Sequence, residues 1–486
     1  MRFGKEFTRR RMLAGSVALA AAPIAARAAQ APAPISPLMT TLSNYMAAAA
    51  GRALPESVVE KTKQMILDTI AAMVSGSELP PGKFAIAFAR AYGGDTVATI
   101  AASNLVIGPI EAAMINGMLA HSDETDDTHP VSYTHPGCSI VPSALAAGEK
   151  FAADGARLIR SVALGYDVGT RIAATLGNVD FATESHLSTH GICGTFGSAS
   201  ASACSAGLNA QQMRWVLSYA AQSASGLYAW RRDTEHVEKS FDFGGMPARN
   251  GITAALLVQA GGTGVDDVFS GADNFFEAFK PMRDIGMVVD SLGTRYEISR
   301  TNVKKWTVGA PIQAPLDAVE LLQKKNRFAA DDLKEMIVRV PTSAVGSVDN
   351  RPVPDVNLQH MLAVMLIDKT ASFKAAHDFE RMKDATILRT RAKVKLVGDA
   401  ELQKLLPNRS VIVEITLNDG QQFSQRVDSV RGTFENPMTR DEVIAKARDL
   451  CVPVLGAEKF QKLSDTIFAL ESVGNVAELR PLLQKA

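Results

Sequence analysis

Aromatic residues are scarce in this chain, at 6% of 486 residues, and much of its 47% apolar content is alanine. That balance argues against a β-sandwich and for helices, because small side chains let helix axes approach closely. Cysteine is rarer still: Cys138, Cys193, Cys204 and Cys451 form no Cys-x-x-Cys pair. A helix joining Cys193 to Cys204 would hold them roughly 16 Å apart, beyond disulfide reach, so buried free thiols are expected. A charge excess is also missing, since 51 basic residues balance 51 acidic ones. Within that balance Met1–Ala28 carries six basic residues and one acidic, which leaves 45 against 50 in the remainder, about −5. A mildly acidic body excludes nucleic acid as the main partner but leaves room for anionic substrates at a few local cations. The longest N-terminal apolar run, Met12 to about Ala22, falls short of the roughly 20 residues of a membrane span.

What the chain does hold begins with a targeting pattern. Thr8-Arg9-Arg10-Arg11-Met12-Leu13 resembles a twin-arginine export signal, and Ala26-Arg27-Ala28 offers a small-residue cleavage site. Residues 1–28 are therefore expected to be a signal and the mature chain periplasmic, with no stable membrane association after processing. Such signals export folded proteins, and assembly before export is the expected reason, since no cofactor motif is present.

From Ser36 to about Gly271 apolar positions recur at three- and four-residue spacing. The pattern predicts helices over Leu54–Ser75, Leu105–His121, Ser139–Ala153, Ala156–Leu176, Gly197–Gly207, Gln211–Ser225 and Gly251–Gln259. The texture changes near residue 275. Met336–Val340 and Ala392–Leu396 read as strands, and Val411–Leu417 with Gln422–Val427 as a hairpin about Asn418-Asp419-Gly420. Helical stretches at Ile312–Gln323 and Leu358–Ala371 intervene. Thr439-Arg440-Asp441-Glu442 is a capping box, from which a helical tail is expected to rejoin the first half. The fold class is mainly α, with a smaller α+β portion.

Chemistry concentrates in a few segments. Five of the eight histidines lie between His121 and His190. His121, His129 and His135 share a loop with Asp123, Glu124, Asp126, Asp127 and Thr128, and Pro130 and Pro136 keep it from being helical. Carboxylates beside imidazoles suit acid–base work, since a carboxylate fixes the ring tautomer and raises its proton affinity. Asp126 and Asp127 also fit a plainer part, capping a helix and anchoring a turn. Histidine and aspartate are metal ligands too, but no His-Glu-x-x-His spacing is present. A second segment, His186-Leu-Ser-Thr-His190 followed by Gly194-Thr195-Phe196-Gly197, reads as a glycine-rich loop whose helix start leaves N–H groups free for a carboxylate. A third, Glu238-Lys239 through Gly244-Gly245, reads as a loop lysine, either a carboxylate clamp or a surface residue. Lys304-Lys305-Trp306 is equally unspecific alone.

Together these pieces resemble the MmgE/PrpD family, which includes 2-methylcitrate dehydratases and cis-aconitate decarboxylases. The likeness runs in order through Glu124–Pro136, Gly194–Gly197, Lys239 with Arg249-Asn250-Gly251, Lys304–Trp306 with Leu316-Asp317, Asn357–His360 and Glu435-Asn436-Pro437. It implies a large all-helical domain (35–274 and 435–486) with an inserted α+β lid (275–434). It further implies a homodimer, and a cleft that needs neither metal nor organic cofactor. By that likeness His135, His190, Glu124 and Thr128 are the catalytic group, with His135 moving the proton and Glu124 and Thr128 orienting. Lys239 and Lys304 would hold substrate carboxylates, with Asp127 counted beside them. The family's loop commonly reads Asp-Phe-Asp-Asp-Thr where this chain has Glu124-Thr125-Asp126-Asp127-Thr128, and one extra methylene moves a carboxylate by more than about an ångström. The expected activity is that of a lyase on small di- or tricarboxylic acids, by dehydration or decarboxylation. An isomerase or epimerase using the same base, and a periplasmic tricarboxylate-binding protein without turnover, are the alternatives.

Overall fold

The alanine, serine and glycine content has a direct counterpart in how the central helices meet. In a computed structural model, which describes residues 34–406 and 408–485, helices Gly155–Leu176 and Thr189–Ala206 pack backbone against backbone. A Cβ on Gly169 would lie 2.5 Å from the Cys193 carbonyl oxygen, and one on Gly165 would lie 2.8 Å from that of Gly197. Helix Met246–Gln259 closes on the same surface, where a Cβ on Gly251 would meet Ser198 Cβ at 2.4 Å. Side chains at the contact normally hold helix axes about 8–10 Å apart; these glycines remove the spacer. Met1–Ala28, the expected export signal, lies outside the described residues.

Helices Glu56–Gly76, Pro109–Ala120 and Gly137–Lys150 form the next layer. Their core is shared with Val443, Ala447 and Leu450 of helix Arg440–Leu455 and with Phe460, Leu463 and Ile467 of helix Ala457–Phe468. The tail therefore buries its apolar stripe against the first half of the chain. Thr439 opens it with the expected capping box. The first helix, Pro37–Ala49, joins a neighbouring apolar cluster with Phe196, Phe269 and Phe275.

A third cluster surrounds the sheet. Short strands β1 (Ala98–Thr99) and β2 (Val106–Ile107) pair antiparallel near the helical core, and they absorb the start of the helix expected from Leu105. Pro109 then begins that helix, where a missing N–H is no loss. The larger sheet has the order β4-β3-β5-β6, comprising β3 (Leu333–Pro341), β4 (Val394–Asp399), β5 (Val411–Leu417) and β6 (Gln422–Val427). β3 runs parallel to β4 and antiparallel to β5, and the β5–β6 hairpin turns at Gly420 with φ +92°. Val411, Val413 and Ile415 point inward under helices Ala310–Lys325 and Leu358–Asp368. The molecule is thus mostly helical, with one small mixed sheet in its C-terminal part.

Two local expectations are corrected. Gly194–Gly197 is not a loop, because its helix already starts at Thr189, capped by Ser188 Oγ on the Gly191 N–H. The glycines serve contact instead: a Cβ at Gly191 would sit 2.2 Å from Ser225 O, and one at Gly194 would sit 2.5 Å from Ser139 Oγ. The free N–H groups of that helix are therefore a full turn or more earlier than expected. Lys239 is likewise helical, within Val237–Ser240, which continues through a π-helical turn Phe241–Gly245 into Met246–Gln259. Gly244 and Gly117 interlock there, each lacking the Cβ that would strike the other's carbonyl oxygen, at 2.0 and 2.4 Å. The four cysteines are buried free thiols. Among the described residues no helix is long and apolar enough to cross a membrane.

Candidate active site

The loop from His121 to Pro136 links helix Pro109–Ala120 to helix Gly137–Lys150, and most of it is buried. A buried loop must satisfy its polar groups from within. Asp127 Oδ1 accepts the Gly137 N–H at 3.0 Å and Oδ2 accepts the Tyr166 hydroxyl at 2.5 Å. Burial, then the charge of Asp126, pushes the Asp127 carboxyl up to about 7. Asp127, expected among the substrate-binding residues, thus has both oxygens bonded inside the protein, as a turn anchor would. His129 is similarly engaged, through Nδ1 to Ser132 Oγ at 2.8 Å and Nε2 to Glu297 at 3.3 Å. Lys446 of the C-terminal helix donates to Thr125 O at 2.9 Å while paired with buried Asp68 at 2.6 Å.

At the centre of the loop one carboxylate serves two imidazoles. Asp126 Oδ2 lies 2.9 Å from His121 Nδ1, and Oδ1 lies 2.9 Å from His135 Nδ1. Burial works against the Asp126 charge, but His121 and His135 overcome it and hold the carboxyl well below its usual range. Burial lowers His135 to about 4 in spite of Asp126. His190 is held well below the ordinary imidazole value, by burial first and then by His135 and His121. Both rings are therefore uncharged near neutrality.

Phe243, on the π-helical turn, organises these rings. His121 and His190 lie 4.2 and 3.6 Å from its centroid, tilted from it by 16° and 14°. Two rings so close and so nearly parallel cannot share one face, so the phenylalanine is sandwiched. The His135 ring stands 5.1 Å from His121 and 5.4 Å from His190. His190 sits in the first turn of its helix, fixed by Ser188 Oγ donating to Asp242 at 2.5 Å and Thr189 Oγ1 donating to Tyr133 O at 2.9 Å. Its Nδ1, like His121 Nε2, is buried without a hydrogen-bond partner. His186 is exposed in a left-handed conformation, φ +60°, so it is His190 that joins the cluster.

Both expected lysines converge on Glu124. Lys239 Nζ pairs with Glu124 Oε1, while Lys304 Nζ donates to Glu124 O at 2.6 Å and lies 3.7 Å from Oε2. Lys304 also stands 3.8 Å from Asp126. Burial would raise Glu124, but the two ammonium groups pull it well below its usual value. Lys304 is brought there by backbone pairing: Thr128 and Asn302 exchange bonds of 3.1 and 2.8 Å, and Val303 N–H donates to Gly432 O at 2.9 Å. Of the anticipated site residues, His135, His190, Glu124, Lys239 and Lys304 are brought together, whereas half-buried Thr128 is held by its backbone pairing with Asn302.

Sequence reasoning missed several neighbours. His377 Nε2 makes an ion-pair contact with Asp123 at 3.1 Å, outside hydrogen-bond angles, and Asp355 holds a buried, unpartnered Oδ1. Burial, modified chiefly by His377 and Glu124, pushes Asp355 up to about 7. The His236 ring stands 5.1 Å from His121. None of these three residues has a local sequence signal for its place here. Phe243 alone was visible, inside the Lys239 segment. His121, Asp126 and Cys138 offer ligand atoms within 4.8 Å of one another, as a metal site would. The thiol, however, is pushed well up by burial and by Asp126, and it donates toward the His135 and Phe243 carbonyls. A protonated thiol is a poor ligand.

Other ordered landmarks are structural. Trp306 Nε1 donates to Asp317 at 2.9 Å, Asn357 caps its helix by accepting the His360 N–H, and Asn436 accepts from Arg431 at 2.7 Å. Two domain matches span these landmarks: residues 40–287 match the MmgE/PrpD N-terminal domain and residues 306–471 the MmgE/PrpD C-terminal domain. The chain belongs to the MmgE/PrpD family. It is 25% identical over 468 residues to a cis-aconitate decarboxylase-like protein of Aspergillus oryzae, covering 88% of this chain and 94% of that one. It is 24% identical over 459 residues to the cis-aconitate decarboxylase of Homo sapiens, covering 89% and 91%. With the cis-aconitate decarboxylase of Aspergillus terreus the identity is 23% over 472 residues, covering 88% and 92%. In this MmgE/PrpD member the Glu124 carboxylate is gripped by both lysines at once.

Proposed function

We propose that this MmgE/PrpD protein is a lyase of small tricarboxylic acids, releasing carbon dioxide or water by proton transfer at a carbon beside a carboxylate. The observation that carries the reading is the meeting of Lys239 and Lys304 at one carboxylate next to the uncharged imidazoles of His135 and His190. Ammonium groups bind and neutralise substrate carboxylates, and uncharged imidazoles take up protons. In dehydration, His135 removes the C–H proton, its electron pair forms the double bond, and hydroxide leaves with a proton from an acid, as water. In decarboxylation the C–C bond breaks, carbon dioxide departs, and the electron pair left on carbon takes a proton that the imidazole relays from solvent water, leaving hydroxide in solution. His190 serves the other side of the reacting carbon, and Glu124 and Thr128 orient the substrate. Cis-aconitate is the first candidate, since the relatives named above act on it by name.

Binding without turnover is a poorer account, because capture alone does not need so many imidazoles. The test is NMR of purified mature chain with cis-aconitate and citrate-like acids in deuterated buffer. New olefinic or decarboxylated product is expected. Acids that bind yet show neither turnover nor C–H exchange would sink the enzyme reading, whereas exchange without net product would favour an isomerase or epimerase.

The same proposal extends to organisation. A lid spanning 275–434 is supported by the separate apolar cluster around the sheet, and by Lys304 and His377 reaching the loop from that side. A homodimer is supported by an apolar groove of about 760 Å³ lined by Phe84, Phe88, Tyr92, Met114, Met118 and Phe241; Phe84 and Tyr92 are 52% and 68% exposed. Light scattering of the wild type and of Phe84→Lys with Tyr92→Lys tests it. Export to the periplasm rests on Arg9-Arg10-Arg11 and is tested by cell fractionation of Arg10→Lys with Arg11→Lys.

A further inference from the structure

We propose that Asp126 and His121 are positioning residues that lock His135 in the Nδ1–H tautomer, so that its bare Nε2 is the atom that takes the substrate proton. The proposal rests on the lyase reading only for the part of His135 as base. Asp126 offers each oxygen to a different ring at 2.9 Å. An ionised carboxylate is acceptor-only, so both Nδ1 atoms must carry hydrogen, and the uncharged His135 ring must leave Nε2 bare. His121 Nε2 is buried with no hydrogen-bond partner, so a hydrogen there would have no acceptor.

His121 is fully buried, so it does not reach substrate. Its effect passes through Asp126. A second N–H on the carboxylate, with Lys304 at 3.8 Å, keeps Asp126 ionised when His135 becomes imidazolium. The proton therefore stays on the ring, ready to be returned to carbon or to a leaving hydroxyl. Opposing this are the buried carboxyls of Asp127 and of Asp68, the latter paired with Lys446, while the protonated Cys138 thiol interacts with Asp126 as well. His135 itself also faces Lys304 and His190, and His121 faces Glu124 and His236. Without the His121 N–H, the acids would favour moving the proton onto Asp126.

The experiment labels histidine ring nitrogens with ¹⁵N in the full folded chain, without substrate, at pH 7.5. Long-range ¹H–¹⁵N correlation reads each tautomer, with signals assigned by their loss in His121→Asn and His135→Gln. A protonated Nδ1 and a bare Nε2 are expected at both His121 and His135. In Asp126→Asn the amide oxygen serves one ring and the amide NH2 faces the other, so one ring should switch to Nε2–H. Where the spectrum shows that ring to be His135, turnover of cis-aconitate should fall about 10³- to 10⁴-fold, as for a base held in the wrong tautomer. His121→Leu should lower turnover about 10- to 100-fold, with recovery in His121→Asn, which keeps an N–H at the same place. A wild-type His135 carrying hydrogen at Nε2 overturns the proposal, and that spectrum decides even if Asp126→Asn fails to fold. Correct tautomers without turnover of any acid would leave this assignment standing and refute the lyase reading instead.

Discussion

Asp123 and His377 lie far apart in the chain yet form a 3.1 Å ion pair that ties the site loop to the sheet-bearing part of the molecule. Burial opposes the His377 charge, but Asp123 overcomes it and raises the imidazole from 6.5 to about 9. Asp123 is correspondingly held below its usual 3.8, against burial, by His377 and Thr125. The His377 contribution to stability is fully present below pH 6.5 and is lost as pH rises through about 9. That of Asp123 is present above about 4 and is lost as pH falls. His377→Gln should therefore cost about 3 kcal/mol at pH 6.5, and much less at pH 10. Urea midpoints at the two pH values measure it, and an equal loss at both would refute the assignment.

His135→Gln should reduce turnover about 10²- to 10⁴-fold while the thermal midpoint moves by no more than a few degrees. Because burial holds His135 near 4, a base at this position is already deprotonated at neutral pH. Wild-type kcat/KM should stay level from pH 7 down to about 5 and fall only as the pH nears 4. A limb centred near 6.5 would point to a different, solvated base.

Lys239→Met and Lys304→Met should each raise KM by about 10- to 100-fold, the effect of losing one charge-assisted carboxylate contact. Lys304 should in addition lower stability, since its ammonium also holds the Glu124 carbonyl at 2.6 Å. Glu124→Asp shortens the carboxylate that Lys239 and Lys304 grip, so kcat should change more than KM. Steady-state kinetics on the acid found by the NMR screen would check all three; unchanged KM in both lysine variants would remove them from the binding site.

Gly244→Ala introduces a Cβ 2.0 Å from the Gly117 carbonyl oxygen. Backbone cannot give way as a side chain can, so a loss of about 1–3 kcal/mol is expected. The π-helical turn carries Phe243, so turnover and thermal midpoint should fall together. A stable but inactive variant would show that the turn moved without unpacking; full activity would contradict the interlock.

How much of this site could be read in advance varied with the distance over which each feature is decided. The acid- and histidine-rich loop was visible because its prolines, carboxylates and imidazoles are neighbours in the chain. The hairpin at Asp419-Gly420 and the Thr439 cap were visible for the same reason, each being settled within a few residues. The Gly194–Gly197 segment misled because glycine signals a loop and a close helix contact with the same letter. Only the residues packed on them, Ser139 at Gly194 and Ile140 at Gly197, tell the two apart. Lys239 misled likewise, since Gly244 serves Gly117 rather than a turn.

The amino-acid sequence by itself determined the mainly helical class, the β5–β6 hairpin, and the stock of groups for acid–base chemistry. These follow from periodicity, caps and turn residues, which act locally. Tertiary structure alone decided which histidines meet in one cluster. Glu297 takes His129, an exposed helix end takes His186, and the Phe243 ring gathers His121 and His190 beside Asp126 and His135. The reason is physical: pairing and burial set whether an imidazole is charged, and both come from residues far away in the chain.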